Sequence, residues 1–315
     1  MLTRGFPTAI TYGTGTRARL EKGESLVRRA RLERDADRAG RNLDAATVEG
    51  FGAEWAAYDQ RDLEEDECRA LAERYFSIFP FDALPADAEG YDLGCGSGRW
   101  AAFIAPCVRL LHCIDPAAQA LKVARCRLAN QANVQFHLAA SDSIPLPDSS
   151  QDFGYSLGVL HHIPDSEQAL RDCVQKLKPG APFLVYLYYA LDDRPRWFRC
   201  LWRISDWLRR RISRLPFPAR KAVTTVIAIG VYWPLARAAV IAERLGANIA
   251  HLPLGAYRNS SFYTMRTDAL DRFGTRLEQR FSRREIEQMM RRADLTNIRF
   301  REAEPYWVAC GTRSR

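Results

Sequence analysis

Cysteine pairs with the spacing of metal or redox sites are missing from this 315-residue chain. The eight cysteines are scattered singly, none forms C-x-x-C, and no Cys/His group has zinc spacing. We therefore expect no metal site and no disulfide-stabilised mini-protein, and we expect a cytoplasmic location. No long apolar run follows the first basic residues, so a signal peptide is not expected either.

A long hydrophobic run is also lacking. The longest uncharged apolar stretch, residues 222–236, has 15 residues and contains Pro234. A membrane-spanning helix needs about 20 apolar residues. The sequence therefore predicts no simple transmembrane helix.

Lysine is scarce, with 5 residues against 41 arginines, and the net charge of +8 is unevenly distributed. Residues 1–41 carry +5 and residues 192–221 carry +7, which leaves −4 for the rest. A basic balance favours phosphates, anionic lipids or acidic substrates. Partners of this kind are therefore expected at those two segments. With 47% apolar and 27% charged residues, the composition is that of a globular protein.

The first part of the chain contains few large apolar side chains. We interpret residues 1–45 as a disordered basic tail, with a frayed helix over residues 20–38. Residues 51–79 are predicted to be helical, because Phe51, Trp55 and Tyr58 recur at helical spacing. These aromatic side chains could close over a ligand, and plain helix packing is the alternative.

From residue 89 onward, short apolar runs alternate with helical stretches, which is typical of an α/β domain with a parallel sheet. Strands are predicted over residues 91–93, 110–114, 134–138, 153–157, 182–189, 298–302 and 306–311. Helices are predicted over residues 99–105, 117–130, 166–177 and 284–293, the last one with a capping box at Ser282 and Glu285. The α/β domain should thus comprise residues 46–190 and 281–315, interrupted by a helical insertion at 191–280.

A glycine-rich loop follows the first predicted strand, with Gly94, Gly96 and Gly98 directly before a helix. Glycine lets the backbone turn tightly and lets a ligand approach the main chain. Asp115 ends the second strand, 21 residues after Gly94, where a carboxylate can bind ribose hydroxyls. The dinucleotide-binding pattern G-x-G-x-x-G is not met, because Arg99 occupies its third glycine position, and no P-loop occurs. With Asp92 before the glycines, the loop suits a ligand that has an ammonium group and no pyrophosphate.

These residues resemble the class I S-adenosylmethionine-dependent methyltransferases, in the branch with ubiquinone and menaquinone C-methyltransferases and many small-molecule enzymes. The similar motifs are residues 92–98, 111–116, 140–148, 153–164 and 177–180, and the resemblance covers residues 88–190 and 281–311. It implies a doubly wound, mostly parallel seven-stranded sheet with an antiparallel last strand, and S-adenosylmethionine as cofactor. It does not specify the methyl acceptor.

The resemblance also implies individual roles. The implied cofactor-binding residues are Asp92, Gly94, Cys95, Gly96, Gly98, Asp115, Pro116, Asp142, Ser143 and Leu157. The glycines would contact the methionine part of the cofactor, Asp92 its ammonium group, Asp115 the ribose hydroxyls and Asp142, beside Ser143, the adenine amine. Leu157 would border the sulfonium, together with Gly158. For Asp115 and Asp142, a role only as helix N-caps is the alternative.

His161 and His162 follow the fourth strand, where acceptors bind in open α/β sheets. They are the candidate catalytic bases. One is expected to face the pocket and the other to pack, and an orienting or packing role for both is the alternative. Two adjacent histidines without a carboxylate cluster are a poor metal site, so no metal is expected.

The insertion is predicted to form a helical cap over the carboxyl ends of the strands and to choose the acceptor. Its first helix combines an apolar stripe with an arginine face. The stripe is Trp197, Leu201, Ile204, Leu208, Ile212 and Leu215, and the arginine face is Arg199, Arg203, Arg210 and Arg214. Such helices bind membrane surfaces, so residues 195–242 are a candidate contact with the inner membrane face. An ordinary lid or a homodimer interface is the alternative.

Candidate acceptor-binding residues follow later in the insertion. Tyr263 could line an aromatic or sugar acceptor, and Arg258 or Arg266 could receive a phosphate or carboxylate. The sequence thus predicts methylation of a small molecule, which could be lipid-linked, a sugar or a natural product. An RNA methyltransferase and a non-catalytic S-adenosylmethionine-binding adaptor are the alternatives. Nucleic acid is not the expected partner, because no RNA-binding motif occurs.

Overall fold

The computed structural model describes residues 42–58, 65–191, 194–247, 249, 252–303 and 307–315. The tail and the frayed helix expected within residues 1–41 lie outside the described residues. Residues 42–45 do not belong to a tail, which corrects the expected boundary. The backbone N–H of Asn42 donates to Asp142, and Asp44 caps the first helix by accepting from the N–H of Thr47.

Seven strands form one mostly parallel sheet in the order β3-β2-β1-β4-β5-β7-β6, with β7 antiparallel to both neighbours. This confirms the predicted fold class. The strands are β1 (Glu89–Leu93), β2 (Leu110–Asp115), β3 (Val134–Leu138), β4 (Phe153–Leu157), β5 (Pro182–Tyr186), β6 (Leu295–Phe300) and β7 (Val308–Arg313). The strand order reverses between β1 and β4, and ligands bind in α/β sheets beside the carboxyl ends of strands at such a point.

Within the described residues, six helices belong to the α/β domain. They are α1 (Ala45–Ala57), α2 (Glu65–Phe76), α3 (Ala101–Ile104), α4 (Ala118–Arg127), α5 (Ser166–Lys176) and α10 (Arg283–Arg292). The helix predicted over residues 51–79 is therefore two helices, and the first begins earlier. The capping box of Ser282 and Glu285 is present at α10 as predicted.

Both faces of the sheet are buried, because successive side chains of a strand point to opposite sides. In β5, Phe183 and Val185 pack with α5 and α10, whereas Leu184 packs with α2, α3 and α4 on the other face. This two-sided burial explains why the central strands are continuous apolar runs without polar alternation.

The insertion contributes α6 (Arg196–Ile212), α7 (Phe217–Ile227), α8 (Trp233–Arg244) and α9 (Phe262–Gly274). It has a small core of its own, in which Ile212, Tyr232, Met265 and Phe273 meet. A second cluster, with Tyr58 of the N-terminal segment and Leu270 of α9, joins the insertion to the α/β domain.

Helices α7 and α8 are joined by a π-helical turn, Ala228–Tyr232, so residues 217–244 form one continuous helix. The N–H of Trp233 donates to the carbonyl of Ala228, five residues earlier. Pro234, which has no N–H to donate, therefore does not end the helix. The apolar helix is therefore longer than the 15-residue stretch 222–236, and this corrects the prediction that the chain has no helix long enough to span a membrane. The 28-residue helix Phe217–Arg244 is long and apolar enough to cross a membrane by length and composition, with 22% of its apolar window buried.

Candidate functional site

A cavity of about 920 Å³, including its open mouth, lies at the carboxyl edge of the sheet where the strand order reverses. Its walls come from the loop after β1, the ends of β2 and β4, residues Ala140 and Ser141, and the N-terminal segment with α1. The fold therefore brings together at one site five segments that are separate in the sequence.

The glycine loop has a backbone conformation that other residues rarely adopt. Gly94 and Gly96 have φ angles of +76° and +54°. A Cβ on Gly94 would lie 2.3 Å from a methyl carbon of Val159, and one on Gly96 would lie 3.0 Å from Trp55 Nε1. These glycines are thus required by both conformation and space.

Asp115 holds this loop in place from the end of β2. Its Oδ2 accepts from the N–H of Gly96 at 2.9 Å, and its Oδ1 accepts from the N–H of Ala117 at 2.8 Å. Burial raises the pKa of this carboxyl to about 6. Asp115 also lines the cavity, where its remaining lone pairs can accept from a ligand. Asp115 can therefore support the start of α4 and face the pocket at the same time.

Six of the ten predicted cofactor-binding residues line the cavity: Gly94, Cys95, Gly96, Asp115, Pro116 and Leu157. Gly98 is not part of its walls. A Cβ on Gly98 would lie 3.0 Å from Leu128 Cδ1 and 3.2 Å from Ala124 Cβ. We conclude that Gly98 allows close packing against α4, and its contact with the cofactor stays a prediction.

Asp92 lies beneath the loop and is also absent from the cavity walls. Burial raises the pKa of its carboxyl well above the usual range. Its Oδ2 is buried and makes no hydrogen bond with any described residue. Such an atom requires a partner, so contact with an ammonium group stays a prediction for Asp92.

Asp142 and Ser143 lie beside the cavity and not in its wall. Asp142 accepts from the N–H of Asn42 at 3.1 Å, and the Ser143 hydroxyl accepts from the N–H of Ala140 at 3.2 Å. The wall here is formed by Ala140 and Ser141. Asp142 thus positions the N-terminal segment, and direct contact of Asp142 and Ser143 with the cofactor stays a prediction.

Helix α1 and the residues before it cover the cavity. Phe51 and Trp55 line it, as the helical spacing suggested, together with Asn42, Leu43, Asp44, Thr47 and Val48. The sequence analysis missed these last five, although Asp44 is a recognisable N-cap. The cavity walls contain no residue of the insertion. The cap expected from the insertion is therefore supplied by α1 over this part of the site.

The two histidines occupy different positions. His162 lines the cavity, and its Nδ1 is 2.7 Å from the carbonyl oxygen of Leu277. A carbonyl only accepts, so Nδ1 carries the proton and Nε2 has a free lone pair. Burial lowers the pKa of His162, which keeps the ring neutral at pH 7.

His161 lies behind His162 and is fully buried. Its ring stacks on Tyr188 at 3.8 Å, and neither ring nitrogen has a hydrogen-bond partner among the described residues. Burial lowers its pKa well below the usual value. The structure thus places one histidine at the cavity and packs the other, as expected, and the role of His162 as the base stays a prediction.

Carboxyl groups from α1 and α9 meet beside His162. The Oδ1 of Asp271 is 3.9 Å from His162 Nε2, and its Oδ2 accepts from the Tyr188 hydroxyl at 2.5 Å. Burial raises the pKa of Asp268 to about 6. Burial and these two aspartates also raise the pKa of Glu54. This acidic cluster had no sequence signal, because Glu54 lies more than 200 residues before Asp268 and Asp271.

The predicted acceptor residues Tyr263 and Arg266 do not line the cavity. The guanidinium of Arg266 lies 4.8 Å from the centre of the Tyr58 ring, and Tyr263 contacts the same ring edge-on at 6.0 Å. Arg258 forms an ion pair with Glu243. These contacts pack the three residues within the insertion and against the N-terminal segment, and the acceptor-binding role of Tyr263 and Arg266 stays a prediction.

Comparison with known proteins identifies the central segment. The model of a family described as a methyltransferase domain matches residues 91–185. A ubiquinone/menaquinone biosynthesis C-methyltransferase from Rubrivivax gelatinosus is 32% identical over 136 residues, which cover 42% of this chain and 52% of that protein. The 27-O-demethylrifamycin SV methyltransferase of Amycolatopsis mediterranei is 29% identical over 129 residues, covering 38% and 43%.

Among solved structures, the S-adenosylmethionine-dependent methyltransferase SibL is 17% identical, with a TM-score of 0.46 over 78% of this chain and 55% of that one. The chain spans about half the length of the curated relatives it matches. These matches confirm the resemblance to class I methyltransferases and S-adenosylmethionine as the cofactor of the domain.

Proposed function

Because residues 91–185 are a class I methyltransferase domain, we propose that the whole protein transfers a methyl group from S-adenosylmethionine to a small molecule. One observation carries this proposal. The cavity joins the glycine loop and Asp115 on one side to His162 on the other. A protein that only binds the cofactor would need the glycine loop and Asp115, but it would not need His162.

The cavity residues suit the cofactor chemically. The Oδ2 of Asp92 and the Nε of Arg99 are both buried without a hydrogen-bond partner among the described residues, and they flank the glycine loop. They complement the ammonium and carboxylate groups of the cofactor, and Asp115 offers acceptor lone pairs for its ribose hydroxyls. When bound, the cofactor supplies an electrophilic methyl group, so the protein has to bind, align and exclude water.

The acceptor should bind next to Gly158, at the end of β4. Gly158 has a φ angle of +81°, and a Cβ there would have only Tyr186 Cδ1 within 4 Å, at 3.9 Å. The rings of Tyr75, Tyr186 and Tyr188 follow one another with centroids 5.1 and 5.8 Å apart. These three rings lie outside the cavity walls, but they are partly exposed and would suit a flat or apolar acceptor body.

The reacting group of the acceptor should be a hydroxyl or an amine. His162 Nε2 and Asp271 Oδ1 are 3.9 Å apart, and both accept hydrogen bonds at neutral pH. A donor hydrogen placed between them would fill the gap, and His162 would take up the proton as the methyl group is transferred. The Amycolatopsis relative, whose name states a demethylrifamycin acceptor, supports a small hydroxylated molecule.

An acceptor screen with methyl-labelled cofactor tests the proposal. Wild-type protein should transfer label to a hydroxyl- or amine-bearing aromatic compound, whereas His162→Asn should bind cofactor normally and transfer far less. His137→Asn is the matched control, because His137 lies on β3 outside the cavity walls. Cofactor binding without label transfer to any acceptor class would favour the adaptor alternative, and transfer to RNA alone would favour the RNA methyltransferase.

A further inference from the structure

Exposed large apolar side chains are concentrated on the insertion. We call those on α6, α7, α8 and the π turn the outer face. It consists of Trp197, Leu201, Ile204, Trp207, Leu208, Val223, Val226, Ile229, Val231, Trp233 and Ile241. Among the described residues, Leu138 is the single exposed large apolar side chain outside residues 197–262. Exposed apolar side chains concentrated in one region in this way mark an interaction site.

The apolar stripe predicted on α6 points outward. Trp197, Leu201, Ile204 and Leu208 are 39–55% exposed, whereas Ile212 is buried in the small core of the insertion. The opposite side of α6 faces inward through Arg209. Its guanidinium donates to Asp206 and to the carbonyls of Thr275 and Arg276. The insertion is therefore held together by polar contacts on the side where apolar packing would be expected.

The long helix Phe217–Arg244 also presents an apolar side outward. Its buried positions Thr224, Ala228, Tyr232 and Ala236 form one stripe towards α9. The remaining apolar side chains are open, with Val226 at 67% and Ile241 at 59% exposure. Because one side packs against the insertion along its length, this helix lies on the domain and does not leave it.

The outer face is strongly basic. Residues 194–247 contain twelve arginines and lysines and two acidic residues, Asp206 and Glu243. Asp206 is buried against Arg209 and Arg210, so it offers little negative charge to a partner. The exposed arginines of α6 are Arg196, Arg199, Arg203, Arg210, Arg211 and Arg214. An apolar strip with cationic flanks is the pattern of helices that lie in a membrane interface.

We propose that the outer face docks on an anionic lipid bilayer, with α6 and the helix Phe217–Arg244 lying in the interface plane. The arginines would meet lipid phosphates, and the tryptophans would sit at the level of the headgroups. Arg211 lies 3.8 Å above the Trp207 ring, which brings cation and aromatic ring to the same depth.

Two other occupants fit less well. A second copy of the chain in a twofold dimer would bring the same arginines against one another, because a twofold interface is self-complementary. A nucleic acid would satisfy the arginines, but it would leave the row of Ile204, Val226 and Ile229 without an apolar partner. The bilayer satisfies both the charge and the apolar area.

Vesicle co-sedimentation of the full chain at low salt tests this proposal. The vesicles are phosphatidylcholine alone and phosphatidylcholine with about one third phosphatidylglycerol. We expect wild-type protein to sediment with the anionic vesicles only. Exchange of Arg199, Arg203, Arg210 and Arg214 for Gln should lower the partition coefficient at least tenfold. Ile204→Ser with Val226→Ser and Ile229→Ser should do the same at any salt concentration.

Matched controls come from the α/β domain. Leu138→Ser removes an exposed apolar side chain, and Gln at Arg74, Arg171, Arg284 and Arg291 removes four exposed helix arginines. Both controls should bind vesicles as wild type does. Unchanged cofactor affinity in every variant shows that the fold is intact, and it separates this test from that of the methyltransferase activity.

Three results would overturn the proposal. The first is wild-type protein that stays in the supernatant with anionic vesicles at low salt. The second is a dimer in sedimentation velocity that the Ser variants dissociate. The third is partition that the arginine controls reduce as much as the α6 variants do, since this would reflect net charge and not the outer face.

Discussion

The α/β domain and the insertion use apolar residues in opposite ways. The domain buries them on both faces of the sheet, and its surface exposes almost none of the large ones among the described residues. The insertion has a small core and directs most of its large apolar side chains outward, beside arginines. Helical periodicity thus identifies an apolar stripe, but it does not tell whether the stripe faces a core or a partner.

The largest expected effect is on turnover, and it comes from changing His162, where the α/β domain contacts the insertion. His162→Asn should lower turnover by about 10²–10⁴-fold, because the proton acceptor facing the cavity is lost. Cofactor affinity measured by calorimetry should change little. Turnover within a few-fold of wild type would show that the domain aligns the acceptor without a base and that the insertion contributes no chemistry at Leu277 and Asp271.

The second prediction concerns the insertion alone. Arg209→Ala should lower the free energy of unfolding of the insertion by about 2 kcal/mol, because the carbonyls of Thr275 and Arg276 would lose their buried donor, while Asp206 keeps its ion pair with Arg210. Arg199→Gln, an exposed position on the same helix, should change it by less than about 0.5 kcal/mol. Thermal unfolding measures both. Equal effects would mean that the inner arginine does not hold the insertion together.

The third prediction concerns the domain alone. Asp115→Ala should weaken S-adenosylmethionine binding by about 1.5–3 kcal/mol, since it removes a charged acceptor and frees the loop N–H groups. Gly96→Val should abolish binding, because the added side chain meets Trp55. Calorimetric affinities like those of the wild type in both variants would place the cofactor elsewhere.

The smallest expected effect is a pH dependence. Since the pKa of Asp115 is raised to about 6, cofactor affinity should fall as the pH drops through 6, by up to about tenfold per pH unit. The ligand-free fold should behave in the opposite sense at this group. A raised native pKa means that its stabilising contribution is present at low pH and is lost as the pH rises through 6. Affinity that is flat from pH 5 to 8 would exclude the carboxylate as a ribose acceptor.

The glycine loop, Asp115 and the capping box of α10 could be predicted from the sequence, because each depends on neighbours within a few residues or on a local turn. His162 could be predicted only as one of a pair. The ring facing the cavity is set by Leu277, which is 115 residues away. Tyr263 and Arg266 were assigned to the acceptor because they are polar and aromatic, but their surroundings are decided by the packing of Tyr58.

The cover over the cavity could not be predicted for a similar reason. Helix α1 has no marked amphipathic pattern, and its contribution depends on Asn42 pairing with Asp142 across 100 residues. The continuous helix through Pro234 was missed because proline usually breaks helices. The π turn Ala228–Tyr232 directly precedes this region, and no short sequence pattern predicts such a turn.

That π turn also sets the rotational phase of the helix. The buried residues Thr224, Ala228, Tyr232 and Ala236 recur every fourth position, and in a regular α-helix such a series would drift by about 40° per step. The wider turn absorbs part of this drift, so α7 and α8 keep the same side towards the small core of the insertion. Deleting one residue of Ala228–Tyr232 would rotate everything after it by about 100°, which would turn Ile241 away from its outward direction and move Ala236 out of the packed stripe. The π turn thus keeps the outward sides of α7 and α8 aligned along one helix.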